Sequence, residues 1–274
     1  MHLVMIFTAL SLAVTVRLLA PKSSWQLTLF FFLFPPLLLL TTAVAVLCMG
    51  PEGEMLGLQA SWFSYFFVFG FISFALILLL KLAYQAWQSQ QEISTYPVKL
   101  IQGKAARILA TSFPYSAQIG FWQPQLVVSW GIINGLDEAH LAAVLAHEQA
   151  HYYYHDTFWF FWLGWLRSGT AWLPHTETLW QELLFYREIR ADEKAAEEVD
   201  ALLLAESLLF CSQAPFKATE SFCAPFCCAI PRSRLAERID ALLTERTFSF
   251  TPHWWVWSWL VVTLLPLFTL PFHN

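Results

Sequence analysis

The chain has 274 residues and a formal net charge of −5; 57% of it is hydrophobic, 13% is charged, and it holds 25 Phe and 14 Trp. That is too little charge to clothe a water-soluble surface of this size, and no basic stripe suggests a nucleic-acid partner. Five cysteines, Cys48, Cys211, Cys223, Cys227 and Cys228, are too few and too clustered for the disulfide scaffold of a secreted domain.

A helix that crosses a bilayer needs about 20 mostly apolar residues. Residues 3–20, 25–49, 62–87 and 254–272 meet that requirement. The first stretch reads as a span rather than a secretion signal, having no basic residue before its apolar run and no small-residue cleavage site. Pro35-Pro36 inside the second should kink it, leaving carbonyls for neighbouring helices to satisfy. Arg17 and Lys22 flank the first connection, whereas the second carries Glu52 and Glu54 with no basic residue. Lys81 sits near the end of the third span, and 12 of the 15 Lys and Arg lie in the polar region beyond it. The positive-inside rule then puts the N-terminus outside and the polar region inside. The expected fold is a mainly α membrane protein with four transmembrane helices. Residues 1–87 hold three spans, 88–252 form a cytoplasmic domain, and 253–274 form the fourth span and a short tail. Within the domain, residues 158–173 are apolar and aromatic-rich and read as a helix lying in the membrane interface.

The run from Asp137 to His151 reads as one helix, with Asp137 as its N-cap and Ala and Leu as strong helix formers. His147 and His151 are one turn apart on the same face, so their imidazoles can converge on one ion. Glu148 stands beside them, where its carboxylate can take a proton from an activated water. This five-residue pattern also arises by chance, so a third ligand is needed to decide its meaning. A third His ten residues after the first is excluded, because that position is Thr157. His155 continues the series, but eight helical residues rise about 12 Å, too far for one tetrahedral ion. Glu188 remains. It lies one turn before Asp192 on an otherwise apolar stripe that includes Leu184 and Ala196, on a helix expected from about 176 to 199. Two carboxylates on a core-facing stripe need partners. One Zn²⁺ ion for Glu188 and a histidine N–H for Asp192 would supply them.

With these residues in place, the chain resembles the BlaR/MecR-type integral-membrane zinc metallopeptidases. His147-Glu-Gln-Ala-His151 with His155-Asp156, Trp172-Leu-Pro174, and Glu188-Ile-Arg-Ala-Asp192 carry the resemblance. The stretch from Gly120 to Val128 looks like the family's strand before the catalytic helix, and Glu237-Arg238-Ile239 like its short Arg-Ile motif. Leu173 stands where the family usually has Asn, and His155 where Arg or Lys is common. The short tail offers no extracellular penicillin-binding sensor, so β-lactam sensing is not expected. The resemblance implies a gluzincin-like zinc peptidase domain of helices plus a small edge sheet, between the third and fourth spans of a bacterial-type inner membrane.

The implied activity is zinc-dependent endopeptidase cleavage of a protein or peptide, in regulated proteolysis or signalling, with a cytoplasmic transcription repressor as one candidate substrate. Glu148 would be the catalytic base, His147, His151 and Glu188 the metal ligands, and Asp192 the group orienting His147. Ala117, Gln118, Ile119 and Gly120 would pair with an extended substrate by strand addition. Tyr186, His175 and His155 are candidates for oxyanion stabilisation. The lipid bilayer is the other expected partner; the oligomeric state is open, with a homodimer compatible. Three rivals are a prenyl-protein or heat-shock type membrane protease, an intramembrane site-two protease, and a receptor or scaffold with a vestigial zinc site. Cys223, Cys227 and Cys228 could bind a second metal or carry palmitate, but read more simply as free thiols.

Overall fold

A computed structural model describes residues 1–20, 24–55, 58–212, 234–244 and 257–272. Cys223, Cys227 and Cys228 lie outside the described residues. In chain order the elements are helices α1 (His2–Leu18) and α2 (Trp25–Met49), the short strands β1 (Glu54–Met55) and β2 (Leu58–Gln59), and helix α3 (Trp62–Ser94). Strands β3 (Val98–Ile101), β4 (Lys104–Leu109), β5 (Ser116–Ile119) and β6 (Gln125–Ser129) follow. Then come α4 (Trp130–Gly135), α5 (Glu138–Tyr153), α6 (Asp156–Gly169), α7 (Thr176–Ala195), α8 (Ala201–Cys211), α9 (Leu235–Leu243), α10 (Trp259–Thr263) and a 3-10 helix, Leu265–Phe272. The chain is mostly helical with a small sheet, and it divides into two compact units.

The first unit comprises Met1–Lys81, Trp165–Leu183 and Phe250–Asn274. Small residues Ala9 and Ala13 on α1 are buried, and Ala9 packs with Phe34 and Leu38 of α2. Arg17 is fully buried here; its guanidinium donates to the Phe32 carbonyl and to Thr176 Oγ1, each at 3.1 Å. Helix α2 runs unbroken through Pro35 and Pro36. Helices α2 and α3 are long and apolar enough to cross a bilayer. Only 17% of the most apolar window of α3 is buried, leaving Phe63, Phe66, Phe67, Ile77 and Leu80 exposed. Helix α1 is apolar but has 17 residues. The stretch expected as a fourth span is not one continuous α-helix in its described part, which consists of the short α10 and the 3-10 helix. Pro266 supplies a physical reason: it has no N–H, and its ring clashes with the carbonyl four residues back in an α-helix.

The second unit comprises Leu82–Gly164 and Leu184–Ser249. Its sheet has the order β3-β4-β6-β5. Strands β3 and β4 form a tight hairpin at Gln102 (φ 47°) and Gly103 (φ 80°), the paired positive φ angles that a two-residue hairpin turn needs. Strand β6 pairs parallel with β4 and antiparallel with β5, with Val127 opposite both Arg107 and Ala117. One face of the sheet (Ile101, Ala106, Ile108, Leu126, Val128) packs on Leu141, Val144 and Leu145 of α5. On the other, Leu109, Ala117, Ile119 and Val127 cluster with Ile93 at the end of α3. The stretch from Gly120 to Val128 is therefore not a single strand. Residues 120–124 are the β5–β6 turn, the strand begins at Gln125, and α4 intervenes before α5.

Gly131, at the start of α4, donates its N–H to the Thr111 carbonyl, and a Cβ there would stand 2.3 Å from Ser112 O and 2.6 Å from Phe113 O. Gly131→Ala should therefore destabilise the second unit by about 1–3 kcal/mol through backbone displacement. Gly70→Ala, which meets nothing within 4 Å, should not. Thermal unfolding of the two variants in one detergent checks the contrast.

Candidate metal centre

Helix α5 forms where expected. Asp137 Oδ1 accepts from the His140 N–H at 2.9 Å, and Glu138 sits in the first turn, where negative charge complements the helix dipole. Half of its residues are buried, His147 and Glu148 among them, and His151 is half-buried, so the three are presented from inside the fold. The Nε2 atoms of His147 and His151 are 3.1 Å apart. Glu188 on α7 completes the group: its Oε2 is 3.4 Å from His147 Nε2 and its Oε1 is 3.6 Å from His151 Nε2. These separations match the edges, roughly 3.3 Å, of a tetrahedron with metal–nitrogen bonds of 2.0–2.1 Å. The donor set of two imidazoles and one carboxylate fits zinc.

Around these ligands lies a ring of ion pairs. His147 Nδ1 is 2.8 Å from Asp192 Oδ1. His151 Nδ1 is 2.7 Å from Asp156 Oδ2. Each imidazole thus has a carboxylate behind it, which fixes the ring and leaves Nε2 pointing at the shared centre. Asp192 is 1% exposed and receives both Nε and Nη2 of Arg238 at 2.8 Å. Arg238 Nη1 also lies 3.2 Å from Glu188 Oε2, while Arg187 Nη2 lies 2.7 Å from Glu188 Oε1. Arg190 pairs with Asp156 and stacks over Tyr154. Glu148 faces the sheet's edge strand: Ser116 Oγ donates to its Oε1 at 2.6 Å, and Gln118 Nε2 donates to its backbone carbonyl at 3.2 Å.

The electrostatics follow from this packing. Burial opposes charge on Glu188, but Arg187, His151 and Arg238 hold its carboxyl well below the usual carboxylate range. Burial likewise opposes charge on Asp192, and Arg238 with His147 outweighs it. For His147, burial disfavours the imidazolium, yet Asp192 and Glu188 together push its pKa up to about 10. His151 is raised for the same reason, with Glu188 and Asp156 overcoming burial.

Four of the residues expected at the metal and its support, His147, His151, Glu188 and Asp192, come together, with Glu148 adjacent on α5. Of the expected substrate strand, Ala117, Gln118 and Ile119 lie on β5 at the sheet edge, with their side chains buried, whereas Gly120 (φ 133°) belongs to the turn. His155 is exposed with φ 52°, so α5 ends at Tyr153 and the chain turns before His155. His155 therefore does not stand two turns along a straight helix from His147, the position expected from the sequence. His175 is exposed with φ 56°, and Tyr186 is half-buried on α7. Sequence reasoning missed the roles of Asp156, Ser116, Arg187 and Arg190. The carboxylate immediately after the His155 turn was the available signal for Asp156.

Two carboxylate-backed histidines and a glutamate from a second helix form a group that could hold one metal ion. Residues 105–173, from β4 to just beyond α6, match the family model of Peptidase family M48, which supports a gluzincin-type metallopeptidase. That segment contains His147, Glu148, His151 and Asp156 and stops short of Glu188, Asp192 and Arg238. No curated protein and no solved structure matches the chain.

Two outcomes follow for metal binding. Asp156→Ala should weaken zinc affinity about 10–100-fold, as loss of a carboxylate behind a ligating histidine does. Asp200→Ala, which removes only the α8 cap, should leave affinity unchanged; chelator competition reads both. A raised His147 pKa means that its proton stabilises the metal-free fold below the ordinary value near 6.5, and that this contribution is lost as pH rises through about 10. Zinc competes with that proton. Zinc affinity should therefore rise at least about tenfold per unit between about pH 7 and 9, with proton release visible calorimetrically as buffer-dependent binding heat.

Proposed function

We propose that the chain is a membrane-embedded zinc endopeptidase in which His147, His151 and Glu188 hold one zinc ion and Glu148 is the general base. The observation that carries this reading is the convergence of two Nε2 atoms and one carboxylate at tetrahedral-edge distances, with Glu148 next to His147 on the same helix. When bound, zinc supplies Lewis acidity that polarises a scissile carbonyl and makes the attacking water more acidic. Glu148 takes the proton of that water and passes it to the leaving amine. Ser116 holds the Glu148 carboxylate in one orientation by donating to Oε1, which leaves Oε2 for the proton. Asp192 and Asp156 hold the two imidazoles, and Arg238 and Arg187 keep Glu188 ionised and positioned. Strand β5, at the sheet edge and bonded through Gln118 to α5, is suited to align an extended peptide by strand addition.

On the finer assignment, the Trp172-Leu-Pro174 turn and the following Glu188-Ile-Arg-Ala-Asp192 support a BlaR/MecR-type enzyme in regulated proteolysis. The proposed setting is a bacterial-type inner membrane. Residues 1–87 supply three spans, 88–252 a cytoplasmic peptidase domain, and 253–274 the fourth span, with a cytoplasmic transcription repressor as candidate substrate. The length and apolarity of α2 and α3, and the exposed apolar surface of α3, support membrane association.

Glu148→Gln should keep its zinc while losing at least about 100-fold in peptide hydrolysis, the contribution expected of a general base. Metal analysis and a casein-type protease assay on the same purified samples check this. Full activity in a zinc-loaded Glu148→Gln sample would overturn the mechanism, and inactive but zinc-loaded wild type would favour the scaffold reading.

A further inference from the structure

The β5–β6 turn carries an aromatic pair for which the peptidase chemistry has no use. Trp122 is 77% exposed, and its ring packs on Phe121 and on Phe158 of α6, both at 5.1 Å between centroids. Phe121 is itself held by Phe158 at 5.1 Å and Phe161 at 4.8 Å. Trp159, one residue along α6, is 58% exposed. The turn is therefore braced from behind while its large apolar faces point into solvent. Leaving two indoles in water beside two half-buried phenyl rings is costly, and such a patch marks a binding surface.

The position of the turn along α3 identifies the occupant. Gly120 lies against this helix; a Cβ on it would stand 3.4 Å from Gln90 Oε1. Gln90 is three residues past Trp87, about 4.5 Å along the axis, and Tyr84 and Trp87 form an exposed ring pair with 5.9 Å between centroids. From Trp62, also exposed, to Trp87 the helix rises about 37 Å, comparable to a bilayer with its headgroups at roughly 40–45 Å. The two tryptophans thus mark the two aromatic belts of one span. The turn leaves α3 at the level where the inner belt ends. Indoles prefer that zone, having an apolar body and one N–H for headgroups or water, and no acidic side chain occurs between Gly120 and Pro124 to oppose it.

We propose that Phe121 and Trp122, with Phe158 and Trp159, form a foot that inserts into the headgroup–acyl boundary of the bilayer beside the Tyr84–Trp87 end of α3. The foot rests on the reading of α3 as a span. Its consequence for the site is geometric: β5 ends in the foot and its Ser116 and Gln118 bond to Glu148, so anchoring the turn holds the substrate edge at the membrane surface.

The test uses the full chain reconstituted in vesicles of phosphatidylethanolamine and phosphatidylglycerol, with photoreactive benzoylphenylalanine substituted at Trp122 or, separately, at Ile77, an exposed position within α3. Mass spectrometry then identifies the adducts. The proposal expects lipid adducts at both positions, with yields within a few-fold of each other. Lipid at 77 with none at 122, or with protein adducts alone at 122, overturns the foot while leaving the span in place. Lipid at neither position overturns the span reading and the foot with it. Both substituted positions are exposed, so either variant should fold.

Discussion

Buried charge governs the construction of this site. Glu148, Asp156, Glu188 and Asp192 all lie in the interior of the second unit, and an unpaired carboxylate there would be costly. Arg187, Arg190 and Arg238 offset three of the four charges. The two imidazoles sit between the carboxylates with pKa values raised toward protonation, so the cluster attracts further positive charge. A zinc ion bound here would take the place of those protons on the same nitrogen atoms. The same ion pairs would then support the metal-free fold and favour a dication at the centre.

The rest of the second unit serves that cluster. The sheet packs on α5 through Val144 and Leu145, fixing the helix that carries both histidines. Ala143, Ala146, Ala195 and Leu204 form a small-residue contact that brings α5, α7 and α8 close together. Close approach is what lets Glu188 reach two histidines on another helix. Helix α9, though short, closes the centre by lending Arg238 to both Asp192 and Glu188. Removing one partner from such a buried network costs about 3–5 kcal/mol, because it leaves the other charge buried and unpaired.

Much of this was legible from local pattern. The Asp137 cap, the one-turn spacing of His147 and His151, and the misfit of Glu188 and Asp192 on an apolar stripe are all read within one helix or by comparing two. The remainder depends on pairings distant in sequence. Arg238 meets Asp192 across 46 residues, and Ser116 meets Glu148 across 32; no periodicity reveals either. The edge position of β5 depends on a strand order in which β6 inserts between β4 and β5. The end of α5 escaped because His155 takes a left-handed backbone conformation that is uncommon for a residue with a side chain.

The atoms that would bind the metal distinguish this centre from any other on the chain. Zinc-edge X-ray absorption on the purified, zinc-loaded chain reads this directly. It should show two imidazole nitrogens and carboxylate oxygen at about 2.0–2.2 Å, with no sulfur. A sulfur shell near about 2.3 Å would move the metal to the cysteines and contradict the centre built on His147, His151 and Glu188.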